Sequence, residues 1–204
     1  TERVVLQGVN AHAWLDEEGE LSLKALLPLP MLGPAAPRMD LHDVTVQLHG
    51  DRKGARPVKV ELSDVVVLNS PTIDGLCNKE ITIRGSADFA DKITAKIVTS
   101  NGATDIRATT GAVRFDRKLF EQLPVAWASK IRDAQSLRCI FDAGVSIFLA
   151  ADGHLNYRVS ASVHDGQFDH PSIPYPVSGI RGKLVFDPGG IVVEASQAHL
   201  GDAF

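Results

Sequence analysis

Val44-Thr45-Val46-Gln47-Leu48-His49, followed by Val58-Lys59-Val60-Glu61-Leu62-Ser63, decides the fold class. Apolar and polar residues alternate strictly in both. Successive side chains of a strand point to opposite faces, so a period of two marks a sheet with one apolar and one polar face. Leu21-Ser22-Leu23-Lys24 and Ile81-Thr82-Ile83-Arg84 repeat the pattern, and 17 Gly and 11 Pro interrupt such runs at short intervals, as in antiparallel all-β architectures. The expectation is a mainly β chain: a long antiparallel meander forming a twisted, one-sided, groove-like sheet, or a sandwich, with one short helical segment near 116–134.

Three hairpins can be placed. Asp152-Gly153 lies between Gly144–Ala151 and His154–Val163, and Asp-Gly is a strong two-residue turn signal. Glu17-Glu18-Gly19 separates Val9–Leu15 from Glu20–Leu27, and Asp187-Pro188-Gly189-Gly190 separates Ile180–Phe186 from Ile191–Ser196. Pairing Phe186 with Ile191 sets Lys183 opposite Glu194 and Leu184 opposite Val193. One face then carries Gly182, Leu184, Phe186, Ile191, Val193 and Ala195, and the other Arg181, Lys183, Glu194 and Ser196.

One segment departs from the period of two. Asp116 suits the cap of a turn over Arg117–Gln122, and Pro124 suits the first position of a second helix running to about Asp133. Leu123, Trp127 and Ile131, with Leu119 and Phe120 ahead of them, form one apolar stripe, expected to cover the end of a sheet. Leu27 to Asp40 carries Pro28, Pro30, Pro34 and Pro37 and is excluded from a central strand. His164 to Ser178, with Pro171, Pro174 and Pro176, reads as a crossing segment. Apolar residues are interleaved in both stretches, so the chain reads as a single β-rich segment, 1–204, with possible sub-units at 1–115 and 116–204.

The charge balance narrows the function. Lys plus Arg is 21 and Asp plus Glu is 25, a net charge of −4, which lacks the basic excess that nucleic acid requires. The longest apolar stretch, Cys139 to Ala151, is broken by Asp142 and Gly144, too short for a spanning helix. The chain opens at Thr1 and stops at Gly201-Asp202-Ala203-Phe204, which reads as a segment of a longer protein. Cys77 and Cys139 lack zinc spacing; they are expected to be buried thiols, with a single disulfide as the alternative.

No catalytic constellation emerges. GxSxG, HExxH, P-loop and GxGxxG patterns are absent. His164-Asp165 and Asp169-His170 could meet a metal through nitrogen and oxygen, or Asp165-Gly166 could make a turn with Asp169 bonding local backbone. The latter is the expectation. Glu17 and Glu18 sit on a hairpin tip, where water holds carboxylates at ordinary pKa. The chain is expected to be non-enzymatic, with no cofactor and no metal.

Apolar surface remains. Val145-Ser146-Ile147-Phe148-Leu149-Ala150-Ala151 is apolar on both faces, as a strand buried on both sides is. The helix stripe would cover one face; the other joins Leu155, Tyr157, Val159, Ala161 and Val163, or the row opposite, depending on register. Eleven strands with one helix leave too little material to cover the sheet. It therefore closes on itself or leaves an apolar groove.

The last third of the chain resembles a known family. Gly166-Gln167-Phe168, Ile173-Pro174-Tyr175-Pro176-Val177-Ser178-Gly179-Ile180-Arg181-Gly182-Lys183-Leu184-Val185-Phe186, then Ile191-Val192-Val193-Glu194 and Ala198-His199-Leu200-Gly201-Asp202-Ala203 are similar to the repeat of AsmA-like and TamB-like envelope proteins. The match is a proline-flanked crossing loop, a Gly-containing strand, a Gly hairpin and a closing strand. Leu123-Pro124 with the Trp127 helix is similar to the short helix between sheets in that family. The resemblance covers roughly 115–204, and the first half only in style.

It implies a long, twisted sheet with an apolar concave face, anchored in the inner membrane by a part of the parent protein and running through the periplasm. Such proteins carry phospholipid toward the outer membrane. The implied partners are phospholipid acyl chains, adjoining repeats of the same chain and the inner membrane, with no nucleic acid. The residues expected on the lipid-facing side are Phe148, Leu155, Tyr157, Val159, Leu184, Phe186, Ile191 and Val193. The rival expectation is a closed β-sandwich serving as an adhesion or scaffold module of a large surface protein.

Overall fold

Alternation becomes pairing in the computed structural model, which describes residues 2–14, 22, 37–50, 56–71, 77–123, 125–130, 135–169 and 172–201. Among the described residues eleven strands form one sheet. They are β1 (Arg3–Gln7), β2 (Asn10–Trp14), β3 (Arg38–His49), β4 (Val58–Pro71), β5 (Cys77–Ala87) and β6 (Ala90–Ser100), then β7 (Ala103–Phe115), β8 (Arg138–Leu149), β9 (Leu155–Gln167), β10 (Val177–Asp187) and β11 (Gly190–Leu200). From β3 onward each strand pairs antiparallel with the next in sequence. The chain is mainly β, as its period of two requires.

The first two strands correct the all-antiparallel expectation. β1 and β2 both lie parallel to β3, with Arg3 beside Arg38 and Trp14 beside His49. A parallel pair needs a long crossover, and residues 15–37 supply the length. The hairpin expected at Glu17-Glu18-Gly19 and the run Leu21–Lys24 lie outside the described residues, Ser22 excepted. β3 also starts earlier than the proline content of 27–40 suggested: Arg38, Met39 and Asp40 belong to it, because the last proline, Pro37, stops just short.

The other turns follow local chemistry. Leu149 pairs with Leu155 around Asp152-Gly153, and Ala150 N–H donates to the His154 carbonyl at 2.9 Å. Phe186 pairs with Ile191, Leu184 with Val193 and Lys183 with Glu194, as their spacing from the Asp187–Gly190 turn predicts. That register slips between Lys183 and Arg181, which pairs with Gln197, so the predicted face pattern ends before Ser196. β6 and β7 join through Asn101-Gly102, both left-handed at φ 51 and 78, the backbone of a type I′ turn. β9 runs on through Gln167, with Asp165 paired to Ile140 and Gly166 to Cys139. The expected turn at Asp165-Gly166 is therefore a strand end, and the crossing segment is correspondingly shorter.

Between β7 and β8 the chain forms α1 (Arg117–Gln122) and α2 (Val125–Lys130). Asp116 caps α1, its carboxylate accepting from Leu119 N–H at 2.9 Å. Leu123 is half-buried; Ile131 and the Trp127 side chain lie outside the described residues. β7 and β8 pair directly across this insertion, so the sheet runs unbroken past residue 116.

No second layer packs on the sheet among the described residues. Each strand touches its sheet neighbours, and α1 touches β7. The solvent-accessible surface is 13479 Å², against about 9,300 Å² for a compact monomer of this mass. Among the described residues the buried apolar ones are few: Ala13, Val44, Ala90, Val113, Ala128 and Val185. The sheet is open, with β11 at one edge and β1 and β2 at the other.

The sheet bends along one line. Positive φ at Gly8 and Asp43, and register shifts at Ser63 of β4, between Gly85 and Ala87, at Gly111-Ala112 and at His164 of β9, all fall at one level. Extra residues bend a strand and increase its twist, so a row of them creases the whole sheet. A Cβ on Gly50, just past β3, would lie 3.5 Å from the Gln122 carbonyl. In a flat sheet β3 and β7 stand about 19 Å apart at the usual strand spacing. Curling brings the helical insertion across one end of the sheet to the end of β3.

Candidate functional site

Cross-strand partners share a face, and following them from strand to strand sorts the side chains. One face carries Val67, Ile81, Ile97, Ile106, Ile147 and Tyr157 in a single row, then Val65, Ile83, Ala95, Ala108, Val145 and Val159 in the next. Met39 and Leu41 extend these rows onto β3, and Ala161, Leu184 and Val193 form another row at the far edge. The bulges keep this face apolar: at each crease one strand gains a residue, so Val65 and Leu62 both stay on it.

From β7 to β9 the apolar positions are mostly half-buried while the alternating polar ones are exposed. With no covering layer, packing against cross-strand neighbours on the same face and the curl of the sheet shield them. Toward β10 and β11 the shielding falls away, and Leu184, Phe186 and Val193 are 40%, 43% and 59% exposed. Tyr157 and Phe186 remain in contact there, ring centroids 5.4 Å apart.

Of the expected lipid-facing residues, Leu155, Tyr157, Val159, Leu184, Phe186 and Val193 stand on this face. Ile191 occupies a position in register with them, opposite Phe186, and its side chain lies outside the described residues. Phe148 does not belong. It pairs with Asn156 and Asp105 on the opposite, polar face. A strand apolar on both faces offers no alternation from which its parity can be read, and only the register decides. Ile81 and Ile83 belong to the alternating run Ile81-Thr82-Ile83-Arg84, whereas Met39, Leu41, Val65, Val67, Ile97 and Ile106 lie outside the alternating runs and reach this face through register.

The opposite face is polar and charged. Lys96 meets Glu80 at 2.9 Å, Arg107 meets Asp105 at 3.1 Å and Lys183 meets Glu194 at 2.8 Å. Lys183 holds the Glu194 carboxyl below its ordinary range. Such exposed pairs contribute little to stability; they keep that face wet. Asp40 differs, being 1% exposed beneath Arg3 and Arg38, and its ion pair with Arg3 ties β1 to β3. The hydrogen bond from Arg38, then those from Arg3, lower its pKa against the opposing effect of burial.

Sites for other chemistry are weaker. His164 Nε2 meets Asp142 Oδ2 at 2.7 Å; Asp165 belongs to β9, and His170 lies outside the described residues. Among the described residues no group of three or more His, Cys, Asp or Glu could hold a metal. Cys139 is free, and burial pushes its thiol pKa up. Cys77 and Cys139 sit at opposite ends of the sheet, three strands apart, far beyond the roughly 7 Å Cα limit of a disulfide. The disulfide alternative is overturned. A cleft of about 760 Å³ beside α1 is lined by Arg117, Phe120, Arg138, Phe168 and Asp169 among others, a mixed surface without a converging set of reactive groups.

Comparison with known proteins adds nothing further. No protein-family model, no curated protein and no solved structure matches the chain.

Proposed function

We propose that the chain is a non-enzymatic segment of an AsmA- or TamB-type envelope protein whose concave sheet face binds and conducts phospholipid between membranes. One observation carries the reading: an apolar face continuous from β3 to β11, with no layer over it among the described residues. An apolar surface of that breadth is rare on a protein without an apolar partner. Acyl chains are such a partner, and a curved strip of Val, Ile and Leu accepts them without demanding a particular chain length. The polar opposite face suits an aqueous periplasm. The unpaired edge at β11 would accept the next strand of an adjoining repeat, and the inner-membrane anchor would belong to the parent protein.

The rival scaffold module required a closed sandwich, and one open sheet does not favour it. Native mass spectrometry of the purified chain, followed by organic extraction, tests the proposal. The expected result is co-purified phospholipid, or capture of a fluorescent phospholipid from vesicles in a one-to-one or higher ratio. A chain that carries no lipid and extracts none overturns it.

A further inference from the structure

The apolar face is not apolar to its end. Next to the Val67–Ile81–Ile97–Ile106 row, on the side away from the crease, the same face presents Asn69, Lys79, Thr99 and Thr104 as consecutive cross-strand partners. Among the described residues of this face from β3 to β9, Lys79 is the one charged position. Its described neighbours along the chain and across the sheet do not neutralise it: Glu80 and Asp105 point from the opposite face, where Lys96 and Arg107 hold them. Beside Lys79, the side-chain amide of Asn69 has both its nitrogen and its oxygen buried without a hydrogen-bond partner. A shielded, unpaired amide costs free energy that an apolar residue would not. Thr99 and Thr104 add two hydroxyls, 3.3 Å apart.

We infer that this row receives the phosphate of a phospholipid whose acyl chains run along the strands, across the apolar rows beside it, an assignment that rests on the lipid reading above. The ammonium of Lys79 supplies the charge, and the Asn69 amide and the one hydroxyl hydrogen not used in the Thr99–Thr104 hydrogen bond supply donors. Charge-assisted bonds to phosphate oxygens are the strong kind, and here apolar surroundings exclude competing water. The rows next to it span the strands from β3 to β9, spaced about 4.8 Å apart, which is broad enough for two chains side by side. A lipid would therefore lie in one polarity, headgroup at the Asn69–Lys79 end and chain ends toward the crease.

The test compares the wild-type chain with Lys79→Glu, Lys79→Gln, Lys79→Arg and Asn69→Leu, each checked for a thermal midpoint no lower than that of wild type. The probes are phosphatidylglycerol, diacylglycerol and free fatty acid with the same acyl chains, and glycerol phosphate without chains. Wild type is expected to bind phosphatidylglycerol more tightly than diacylglycerol or fatty acid, and glycerol phosphate not measurably. Lys79→Glu should weaken phosphatidylglycerol about tenfold or more, as loss of a charged hydrogen bond does, and leave diacylglycerol unchanged. Lys79→Arg should retain binding and Asn69→Leu should lose part of it; should the Glu variant fail to fold, Lys79→Gln gives the same reading. Phosphatidylglycerol binding unaffected by Lys79→Glu or Lys79→Gln, or an equal loss of both lipids, overturns the headgroup site while leaving the groove standing. Tighter binding of fatty acid than of phosphatidylglycerol overturns the phosphate assignment, and failure of wild type to bind any lipid overturns both.

Discussion

Asp142 on β8 holds the backbone of Ala112 on β7: its Oδ1 accepts the Ala112 N–H at 2.8 Å. Ala112 is the bulge residue of its strand, at φ 51. The second oxygen of the same carboxylate meets His164, the extra residue of β9, at 2.7 Å. One side chain thus ties the crease together across three strands. The unpaired backbone donor that a bulge creates is satisfied by a carboxylate instead of a ladder bond.

Ala112→Gly should stabilise the protein. An L-residue pays about 1–2 kcal/mol in the left-handed region, of which glycine's extra unfolded-state entropy returns part. A net gain of about 0.5–1 kcal/mol is expected in urea denaturation, with lipid capture unchanged. A loss of stability would show that the Ala112 methyl makes contacts worth more than the relieved strain.

Acid should loosen the crease through Asp142. The Ala112 N–H, then His164, hold its pKa below the ordinary 3.8, so the folded state favours the carboxylate. The group's contribution is present above 3.8 and is lost as the pH falls below that value toward its depressed folded pKa. Asp142→Asn should be less stable than wild type at pH 7, and the difference should shrink below about pH 4. A difference independent of pH between 7 and 3 would contradict the charge argument.

Gly85 should tolerate no side chain. A Cβ there would lie 2.2 Å from the Glu61 carbonyl oxygen and 2.8 Å from the Leu62 Cα, and backbone cannot rotate away as a side-chain tip can. Gly85→Ala should cost about 1–3 kcal/mol, as overpacking does, seen as a lowered thermal midpoint. An unchanged midpoint would mean that β4 and β5 separate freely at the crease.

A charge on the apolar face should abolish lipid capture without unfolding the chain. Leu184 and Val193 pair directly and are 40% and 59% exposed, so an aspartate at either remains solvated while lipid is absent. Covering it with acyl chains would remove that solvation, which is expensive for an unpaired charge. Leu184→Asp and Val193→Asp should fold and lose capture by about tenfold or more, the scale set by an unpaired polar group in an apolar contact. Lys183→Ala, on the other face, should bind as wild type. Capture retained in both aspartate variants would place the lipid elsewhere.

Much of the architecture was legible because it is local. The 187–190 turn dictated the Phe186–Ile191 register, and Asp116 with Pro124 marked both helices. Asn101-Gly102, a strong hairpin signal, stood in the sequence unused. The assignment of Phe148 failed for a physical reason: Val145–Ala151 is apolar on both faces, so its parity is set by partners outside the strand. Asp165-Gly166 reads as a turn by composition and is a strand end because Ile140 and Cys139 pair with it.

Sequence alone determined the class of structure and the one-sidedness of the sheet, because alternation is a property of each strand by itself. The tertiary structure decided the rest. Parallel pairing of β1 and β2 with β3, the alignment of bulges into one crease and the absence of a covering layer among the described residues depend on contacts between distant segments. So does the row of Asn69, Lys79, Thr99 and Thr104. Its members come from β4, β5, β6 and β7, and no local pattern announces them. Register, set by many backbone hydrogen bonds acting together, is what places them side by side.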